Sequence, residues 1–407
     1  MIQFPKREIG GCLFPFFARR WLLILSLSIV VVVLAACGGP PPVTSWPGYA
    51  IRDDIAYLAS VDELAAVSIS GDTSGASLIG WPVKSTNAAI GYYAQPALSP
   101  DGKTLYVGTE QTNGNHGLVE AWTNIERGVQ TAPTLKWSYP LTTTDPALGN
   151  LYGALALDKG VLYFGDGKGQ IFALDAESGK PKWPAPVVTG ARIWSSVAVD
   201  DQNVYAASQD HFLYAVNKVS GSQIWKFPAD GTDIDALVGS PQVYNGVVYV
   251  GSFGGILYAV DAKSGNLKWS YKADGTLWDG PALIDGTLYF GDLSGNVYAL
   301  DAATGQNKKW SAKVEGGVKM TPLVEDGVVY VGTDTHRMYA FNASNGQSVW
   351  PQPFQAHDGE SLLVMPAIQG PTLIVQPNLA GGDPVRLYGL NKSTGAQVWR
   401  YPPQKNQ

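Results

Sequence analysis

Short runs in which apolar and polar residues alternate, separated by glycine-rich segments, extend along most of the 407-residue chain. The pattern is clear in four runs at 239–244, 247–252, 256–260 and 267–271. The separators between them contain Asn-Gly, Phe-Gly-Gly and Asp-Ala-Lys-Ser-Gly. Alternation of this kind is typical of half-buried strands, and the separators have the composition of tight turns. These runs therefore predict one four-stranded antiparallel sheet.

One skeleton recurs along the chain: an aromatic residue, Asp or Asn three positions later, Gly four after that, and then Trp. In residues 255–269 it consists of Tyr258, Asp261, Gly265 and Trp269. Six good copies and two looser ones place Trp at eight positions: Trp81, Trp137, Trp183, Trp225, Trp269, Trp310, Trp350 and Trp399. A period of about 40–45 residues with four strands per unit is typical of a propeller blade. The chain is therefore predicted to be all-β, an eight-bladed β-propeller over residues 49–402.

The repeated tryptophans are predicted to be structural docking residues. Neighbouring blades bury their faces against one another, so a large aromatic side chain at a fixed place in each blade acts most simply as a wedge. Asp or Asn caps the turn, and Gly supplies a positive φ. Because eight evenly spaced positions cannot all touch one ligand, the pattern indicates packing and not binding.

Tyr-Ala-Leu-Asp-Ala-Ala-Thr-Gly at 298–305, followed by Trp310, resembles the tryptophan-docking motif of the quinoprotein, or PQQ-like, propeller repeat family. In that family the motif joins blades and does not touch the cofactor, and many members have no enzymatic role. The resemblance implies a membrane-anchored, non-enzymatic protein-binding scaffold of the cell envelope, which acts in outer-membrane protein assembly if the organism has an outer membrane. It leaves open a PQQ-dependent dehydrogenase or an extracytoplasmic ligand sensor.

The N-terminal residues are predicted to direct export. Residues 1–36 combine four basic residues with an apolar run that ends in Leu34-Ala35-Ala36, and Cys37 follows. This resembles a lipoprotein signal peptide, with Cys37 as the lipid attachment site. The alternative is an uncleaved signal anchor. Residues 37–48 are predicted to form a flexible Gly/Pro tether, which places the propeller outside the cytoplasm: at the outer membrane in a cell that has one, otherwise on the outer face of the cell membrane.

The net charge and the scarcity of catalytic or metal-binding motifs limit the functions that the sequence predicts. Without residues 1–36 the chain has 24 basic and 33 acidic residues, which disfavours nucleic acid and anionic lipid surfaces as partners. The dehydrogenases of the resembled family often carry adjacent cysteines and a calcium-supporting carboxylate, and no segment matches these elements. Catalytic residues, a metal site and a PQQ cofactor are therefore not predicted. Asp230 to Asp235 could suit calcium by their spacing, but a connecting loop is favoured.

The segments that lead into each innermost strand converge on one mouth of the propeller channel. Aromatic residues and an arginine in these segments are typical of protein interfaces. The candidate partner-binding residues are Tyr93, Tyr152, Arg192, Trp194 and Trp278. The alternative is that these side chains fill the channel as packing. The partners are predicted to be other envelope proteins, with the chain itself monomeric.

Overall fold

The structure is a computed structural model, and it describes residues 48–403 apart from 61–62, 72–73, 85–89, 93, 112–115, 127–130 and 379–385. The described residues all lie in one compact unit, Ser45–Gln407. They form eight antiparallel sheets and contain no α-helix, which confirms the predicted all-β propeller of eight blades. Within these ranges no helix has the length and apolar character to cross a membrane.

Each sheet is one blade, and its strands follow chain order from the channel outward. Blades one and two contain β1 Gly48–Arg52, β2 Ile55–Ser60, β3 Glu63–Ser68 and β4 Val83–Lys84, then β5 Ile90–Tyr92, β6 Ala97–Leu98, β7 Leu105–Gln111, β8 Val119–Thr123 and β9 Thr134–Tyr139. Blades three and four contain β10 Ala156–Asp158, β11 Val161–Gly165, β12 Gln170–Asp175 and β13 Val187–Val188, then β14 Ala198–Val199, β15 Asn203–Ala207, β16 Leu213–Asn217 and β17 Gln223–Phe227. In blade two, β5 and β6 both pair with β7.

The second half of the ring repeats this arrangement. Blades five and six contain β18 Gln242–Tyr244, β19 Val247–Gly251, β20 Ile256–Asp261 and β21 Leu267–Lys272, then β22 Ala282–Ile284, β23 Thr287–Gly291, β24 Asn296–Asp301 and β25 Lys308–Lys313. Blades seven and eight contain β26 Leu323–Glu325, β27 Val328–Gly332, β28 Arg337–Asn342 and β29 Phe354–Gln355, then β30 Ala367–Gln369, β31 Thr372–Val375, β32 Leu387–Asn391 and β33 Gln397–Tyr401.

The hydrophobic core lies between blades and not inside one sheet. Between blades five and six, for example, Tyr249 and Leu257 pack with Leu288, Phe290 and Tyr298. Clusters of the same composition occupy the other seams. Each sheet is apolar on both faces because both faces are buried, so a blade needs its neighbours in order to fold.

The ring closes without a shared strand, because β1 pairs with β2 and the C-terminal β33 pairs with β32. Blades one and eight are joined by packing and by side-chain hydrogen bonds. The Tyr49 hydroxyl donates to the Ile374 carbonyl at 2.9 Å, and the hydroxyls of Ser77 and Tyr401 are 2.8 Å apart. Among the described residues, each hydrogen bond across the closing seam therefore has a side-chain donor.

Candidate functional site

The repeated tryptophans lie at the seams between blades. The indole N–H of Trp225 in blade four donates to the Ala262 carbonyl in the docking turn of blade five, at 3.1 Å. The ring also covers Gly265, where an added Cβ would come within 2.7 Å of Trp225 Cδ2. The same donation joins six consecutive seams: Trp137 to Ala176, Trp183 to Lys218, Trp225 to Ala262, Trp269 to Ala302, Trp310 to Ala343 and Trp350 to Lys392.

The remaining two tryptophans belong to the first and last blades. Trp81 packs edge-on against Tyr57, with the ring centroids 5.9 Å apart, in the cluster between blades one and two. Trp399 packs in the closing cluster and lies near Gly75, whose added Cβ would be 3.7 Å from Trp399 Cε3. All eight tryptophans therefore lie in interblade contacts.

A second repeated residue, which the pattern analysis missed, acts with the tryptophan. It is a tyrosine at the third position of the second strand, and in blade five the Tyr249 hydroxyl donates to the Ala302 carbonyl at 3.0 Å. Equivalent bonds run from Tyr57, Tyr163, Tyr205, Tyr249, Tyr289 and Tyr330. The signal was available, because Tyr249 precedes the motif residue Tyr258 by nine positions, as Tyr289 precedes Tyr298.

Burial keeps these tyrosines in the protonated form that donates. It raises the pKa of Tyr163 and of Tyr330 to about 12, and negative charges nearby act in the same direction. In the docking turn, by contrast, the pKa of Asp261 is lowered, first by the hydrogen bond from the Ser264 backbone N–H. The Ser264 hydroxyl donates to the same carboxylate oxygen at 2.8 Å. The turn therefore holds a carboxylate, and the seam holds a neutral phenol.

At the channel mouth the structure brings three of the candidate partner-binding residues together. Tyr152 and Trp194 meet edge to face with ring centroids 6.2 Å apart, and the exposed Arg192 is close enough for its charge to act on the Tyr152 hydroxyl. Burial nevertheless raises the pKa of Tyr152. The Trp194 indole N–H is buried and has no hydrogen-bond acceptor among the described residues.

The backbone beneath this cluster is firmly held. The buried Ile193, between the two side chains, donates its N–H to the Asp166 carbonyl at 3.0 Å, and the Arg192 carbonyl accepts from the Gln209 N–H at 3.0 Å. Asp166 is itself buried, which raises its pKa although three backbone N–H groups donate to its carboxylate. Blades three and four thus present Arg192 and Trp194 from a rigid support.

Trp278 lies in a second cluster. Its ring meets Phe253 edge to face at 5.4 Å, and the Lys319 ammonium is 5.7 Å from its centroid. Lys319 also pairs with Asp334 at 3.1 Å. Of the other predicted site residues, Tyr93 and Cys37 lie outside the described residues.

Asp279, next to Trp278, joins three blades at the inner rim. One carboxylate oxygen accepts from the backbone N–H groups of Ser240 and Gly280, at 3.1 and 2.8 Å. The other accepts from the N–H and hydroxyl of Thr321, both at 3.0 Å. These residues lead into blades five, six and seven, so Asp279 is a positioning residue whose role depends on contacts that the pattern analysis did not identify.

Within the described ranges, no group of three or more His, Cys, Asp or Glu side chains is placed to hold a metal ion. The acidic segment that could suit calcium by its spacing makes loop contacts instead. Asp230 accepts from the Thr232 N–H at 3.1 Å, and Asp233 lies 2.5 Å from His211 Nδ1. The hydrogen bond with His211 lowers the pKa of Asp233.

The chain matches one family model in three overlapping segments, 101–276, 188–306 and 274–407. That model is described as outer membrane protein assembly factor BamB. The BamB proteins of Escherichia coli K12 and Shigella dysenteriae are each 30% identical to this chain over 112 residues. The aligned residues cover 25% of this chain and 28% of each relative. The aligned segment therefore spans under a third of the length of these curated relatives.

Solved structures show the same fold. The crystal structure of BamB from Moraxella catarrhalis matches with a TM-score of 0.57 at 19% identity, covering 75% of this chain and 84% of that one. A quinohemoprotein alcohol dehydrogenase from Pseudomonas putida matches with a TM-score of 0.61 at 15% identity, covering 82% and 70%. The computationally designed Ika8 protein matches with a TM-score of 0.66 at 13% identity, covering 88% and 96%. At these identities the structural matches establish the fold alone.

Eight blades joined by tryptophan docking define the chain as a PQQ-like β-propeller. Since the family matches together run from residue 101 to residue 407, more than half of the sequence, the particular family is also shown. The chain belongs to the outer membrane protein assembly factor BamB family.

Proposed function

We propose that the chain is a lipid-anchored, extracytoplasmic and non-enzymatic scaffold that binds other envelope proteins during outer-membrane protein assembly. The observation that carries this proposal is the cluster of Tyr152, Arg192 and Trp194 at the channel mouth. Two aromatic rings and a guanidinium on a rigid support match the composition of interface hot spots. The family description supplies the assembly role.

The unpartnered indole N–H of Trp194 favours binding over simple filling of the channel. A buried donor without an acceptor costs free energy, and a backbone carbonyl of a bound polypeptide would remove that cost. The exposed Arg192 beside it can pair with a carboxylate of the same partner. The mouth is therefore proposed to bind an extended segment with an acidic side chain.

The anchor is part of the same proposal. Leu34-Ala35-Ala36-Cys37 and the Gly/Pro tether support attachment of lipid at Cys37. The propeller would then face the periplasm from the outer membrane of a cell that has one. In this position a monomeric scaffold meets membrane-assembly proteins without entering the bilayer.

The PQQ-dependent dehydrogenase is the alternative, favoured by the fold match to a quinohemoprotein alcohol dehydrogenase. The dehydrogenases of the resembled family carry a calcium-supporting carboxylate, and no segment of this sequence matches that element. The scaffold is favoured because the cluster of Tyr152, Arg192 and Trp194 supports it.

The proposal is tested by cross-linking and copurification from cell envelopes. Trp194→Ala and Arg192→Ala should each weaken capture of the envelope partner by about 1–2 kcal/mol, because each removes a central interface residue. Arg52→Ala is the matched control, since Arg52 ends β1 at the opposite end of an inner strand and donates to the Pro100 carbonyl. Cys37→Ser should abolish labelling by a fatty-acid analogue.

Two results would contradict the proposal. Mouth variants that recover every partner as well as the wild type would show that binding occurs elsewhere. Dye reduction by the purified chain after addition of PQQ, calcium and an alcohol or sugar would show an enzyme.

A further inference from the structure

The outer strands of three consecutive blades carry lysines and no carboxylate. β17 has one lysine, β21 has two and β25 has three, and another lies in the turn before β21. We call this set the lysine belt, and it consists of Lys226, Lys263, Lys268, Lys272, Lys308, Lys309 and Lys313. All seven side chains are exposed. The belt follows the outer strands around blades four to six, and its members Lys272 and Lys313 reach the loops at Gly254 and Ser294.

The rest of the perimeter is different. The outer strands of blades one, three and seven, β4, β13 and β29, contain only two residues each. In blade two, β9 has one lysine, Lys136, and its ammonium pairs with Glu177. In blade eight, β33 has Arg400 as its one basic residue. The outer strands of blades four to six thus carry six lysines, whereas Lys84 on β4, Lys136 on β9 and Arg400 on β33 are the basic residues of the other described outer strands.

The hydrogen bonds of the belt lysines go to uncharged groups. The ammonium groups of Lys272 and Lys313 donate to the backbone carbonyls of Gly254 and Ser294, and that of Lys226 lies 3.9 Å from the Phe212 ring centroid. Lys309 donates to the Thr287 hydroxyl at 2.5 Å. Among the described residues, no ion pair involves a belt lysine. The charges of Lys268 and Lys309 do act on the carboxylates of Asp261 and Asp301 in the docking turns, whose pKa values are lowered mainly by hydrogen bonds within those turns. The belt lysines are therefore exposed and form no close ion pair, so they can also attract an outside anion.

Exposed apolar side chains lie among these lysines. Val219 and Ile224, 83% and 49% exposed, line a shallow groove with Lys263. Leu267, 49% exposed, precedes Lys268 on β21. Lysines mixed with exposed apolar side chains are typical of surfaces that rest on a bilayer, where the charges attract anionic headgroups and the apolar groups enter the interface.

We propose that the lysine belt is a docking surface for an anionic phospholipid bilayer. The net negative charge of the whole chain disfavours such a surface, but the fold places the lysines of three outer strands next to one another. The tryptophans of these strands are occupied in interblade docking, which leaves no ring of theirs to stack on a nucleic-acid base. The proposal rests on the proposed lipid anchor, which would hold the propeller beside a membrane.

Lysines on an exposed edge strand also prevent that strand from pairing with strands of other chains. The experiment must therefore distinguish this protective role from binding to an anionic bilayer. The full lipidated chain is sedimented with vesicles of phosphatidylcholine alone and of phosphatidylcholine with roughly 30% phosphatidylglycerol. The anchor contributes equally to both. We expect partition onto the anionic vesicles to be about tenfold higher at roughly 0.1 M salt and to lose this preference at roughly 0.5 M.

Substitutions in the lysine belt test whether these lysines cause the preference for anionic vesicles. Lys263→Gln/Lys268→Gln/Lys308→Gln should remove most of the preference, because each lysine near an anionic surface contributes severalfold. The matched control, Lys84→Gln/Lys103→Gln/Lys180→Gln, removes the same charge from exposed lysines elsewhere and should keep it. Both variants should melt like the wild type, since none of the six ammonium groups forms an ion pair among the described residues.

The proposal fails if the wild type partitions equally onto both vesicles, or if the control variant loses as much preference as the belt variant. It also fails if a DNA duplex displaces the chain from anionic vesicles at lower concentration than phosphatidylglycerol does. If the wild type shows no preference for anionic vesicles but still captures envelope proteins through Arg192 and Trp194, only the bilayer-docking proposal is wrong. If the wild type prefers anionic vesicles but captures no envelope protein, only the scaffold proposal is wrong.

Discussion

At the scale of single residues, one backbone carbonyl receives two aromatic donors in five of the seams between described blades. The Ala302 carbonyl accepts from the Tyr249 hydroxyl at 3.0 Å and from the Trp269 indole N–H at 3.2 Å. The two rings lie 5.8 Å apart and pack against each other. Both lone pairs of a buried carbonyl are thus used, and the polar atoms of both large rings are satisfied where the blades meet.

The two donors should contribute unequally to stability. Trp269→Ala should lower the free energy of unfolding by about 3–5 kcal/mol, because a large side chain is removed from a packed seam. Tyr249→Phe keeps the ring and loses one hydrogen bond, so about 1 kcal/mol is expected. Denaturant titration measures both, with Tyr244→Phe, an exposed tyrosine, as the unchanged control. A Trp269→Ala variant that melts like the wild type but loses binding would show a functional tryptophan.

At the scale of elements, the docking turn after β20 carries the contact between blades. Asp261 accepts from the Ser264 N–H at 2.8 Å, and the chain then reverses at Gly265, where φ is +74°. That backbone shape favours glycine, and the Trp225 ring covers the position from the preceding blade. The turn thus serves its own hairpin and the neighbouring blade together.

A pair of glycine substitutions separates these two requirements. Gly246, in the turn between β18 and β19, has φ +73° and open space around it, so Gly246→Ala should cost about 1–2 kcal/mol of unfolding free energy from backbone strain alone. Gly265→Ala introduces the same backbone strain and also forces the ring of Trp225 to move. It should therefore lower the free energy of unfolding by about 1–3 kcal/mol more than Gly246→Ala does. Thermal and denaturant unfolding measure the difference. Equal losses would mean that the Trp225 contact contributes nothing.

At the scale of the whole molecule, the ring closes at the one seam whose two blades, one and eight, do not follow each other in the chain. Glu63 of blade one and Arg386 of blade eight form an ion pair there, and their side chains are 8% and 19% exposed. The Gln376 side chain, also buried, donates to the Ala59 carbonyl at 3.4 Å. Polar contacts in this seam therefore hold the first and last blades in register.

Breaking the buried pair should destabilise the ring more than breaking an exposed one. Arg386→Met should cost about 3 kcal/mol, because Glu63 loses its buried cationic partner. Lys136→Met, at the pair whose Glu177 is 81% exposed, should cost less than about 1 kcal/mol. Calorimetry or denaturant titration compares them. The double variant Glu63→Gln/Arg386→Met should recover part of the loss, and equal effects at both pairs would contradict this role for the seam.

The sequence by itself determined the blade and the number of blades, because both rest on short-range patterns. Alternation with a period of two predicted strands close to β18, β19, β20 and β21, and the turn residues between them set the hairpins. The number of recurring tryptophans gave the number of blades. Each of these signals lies within about 40–45 residues, the length of one propeller repeat.

Only the tertiary structure decided which residues meet across blades. Asp279 joins Ser240 to Thr321, Tyr152 meets Trp194, and β1 packs beside β31 from the other end of the chain. It also collected the lysines of three outer strands into one arc, although the chain is acidic overall. These groupings depend on how successive blades are placed around the ring. The alternation of apolar and polar residues shows which face of its sheet a side chain lies on. It does not show which residue of a distant blade that side chain contacts.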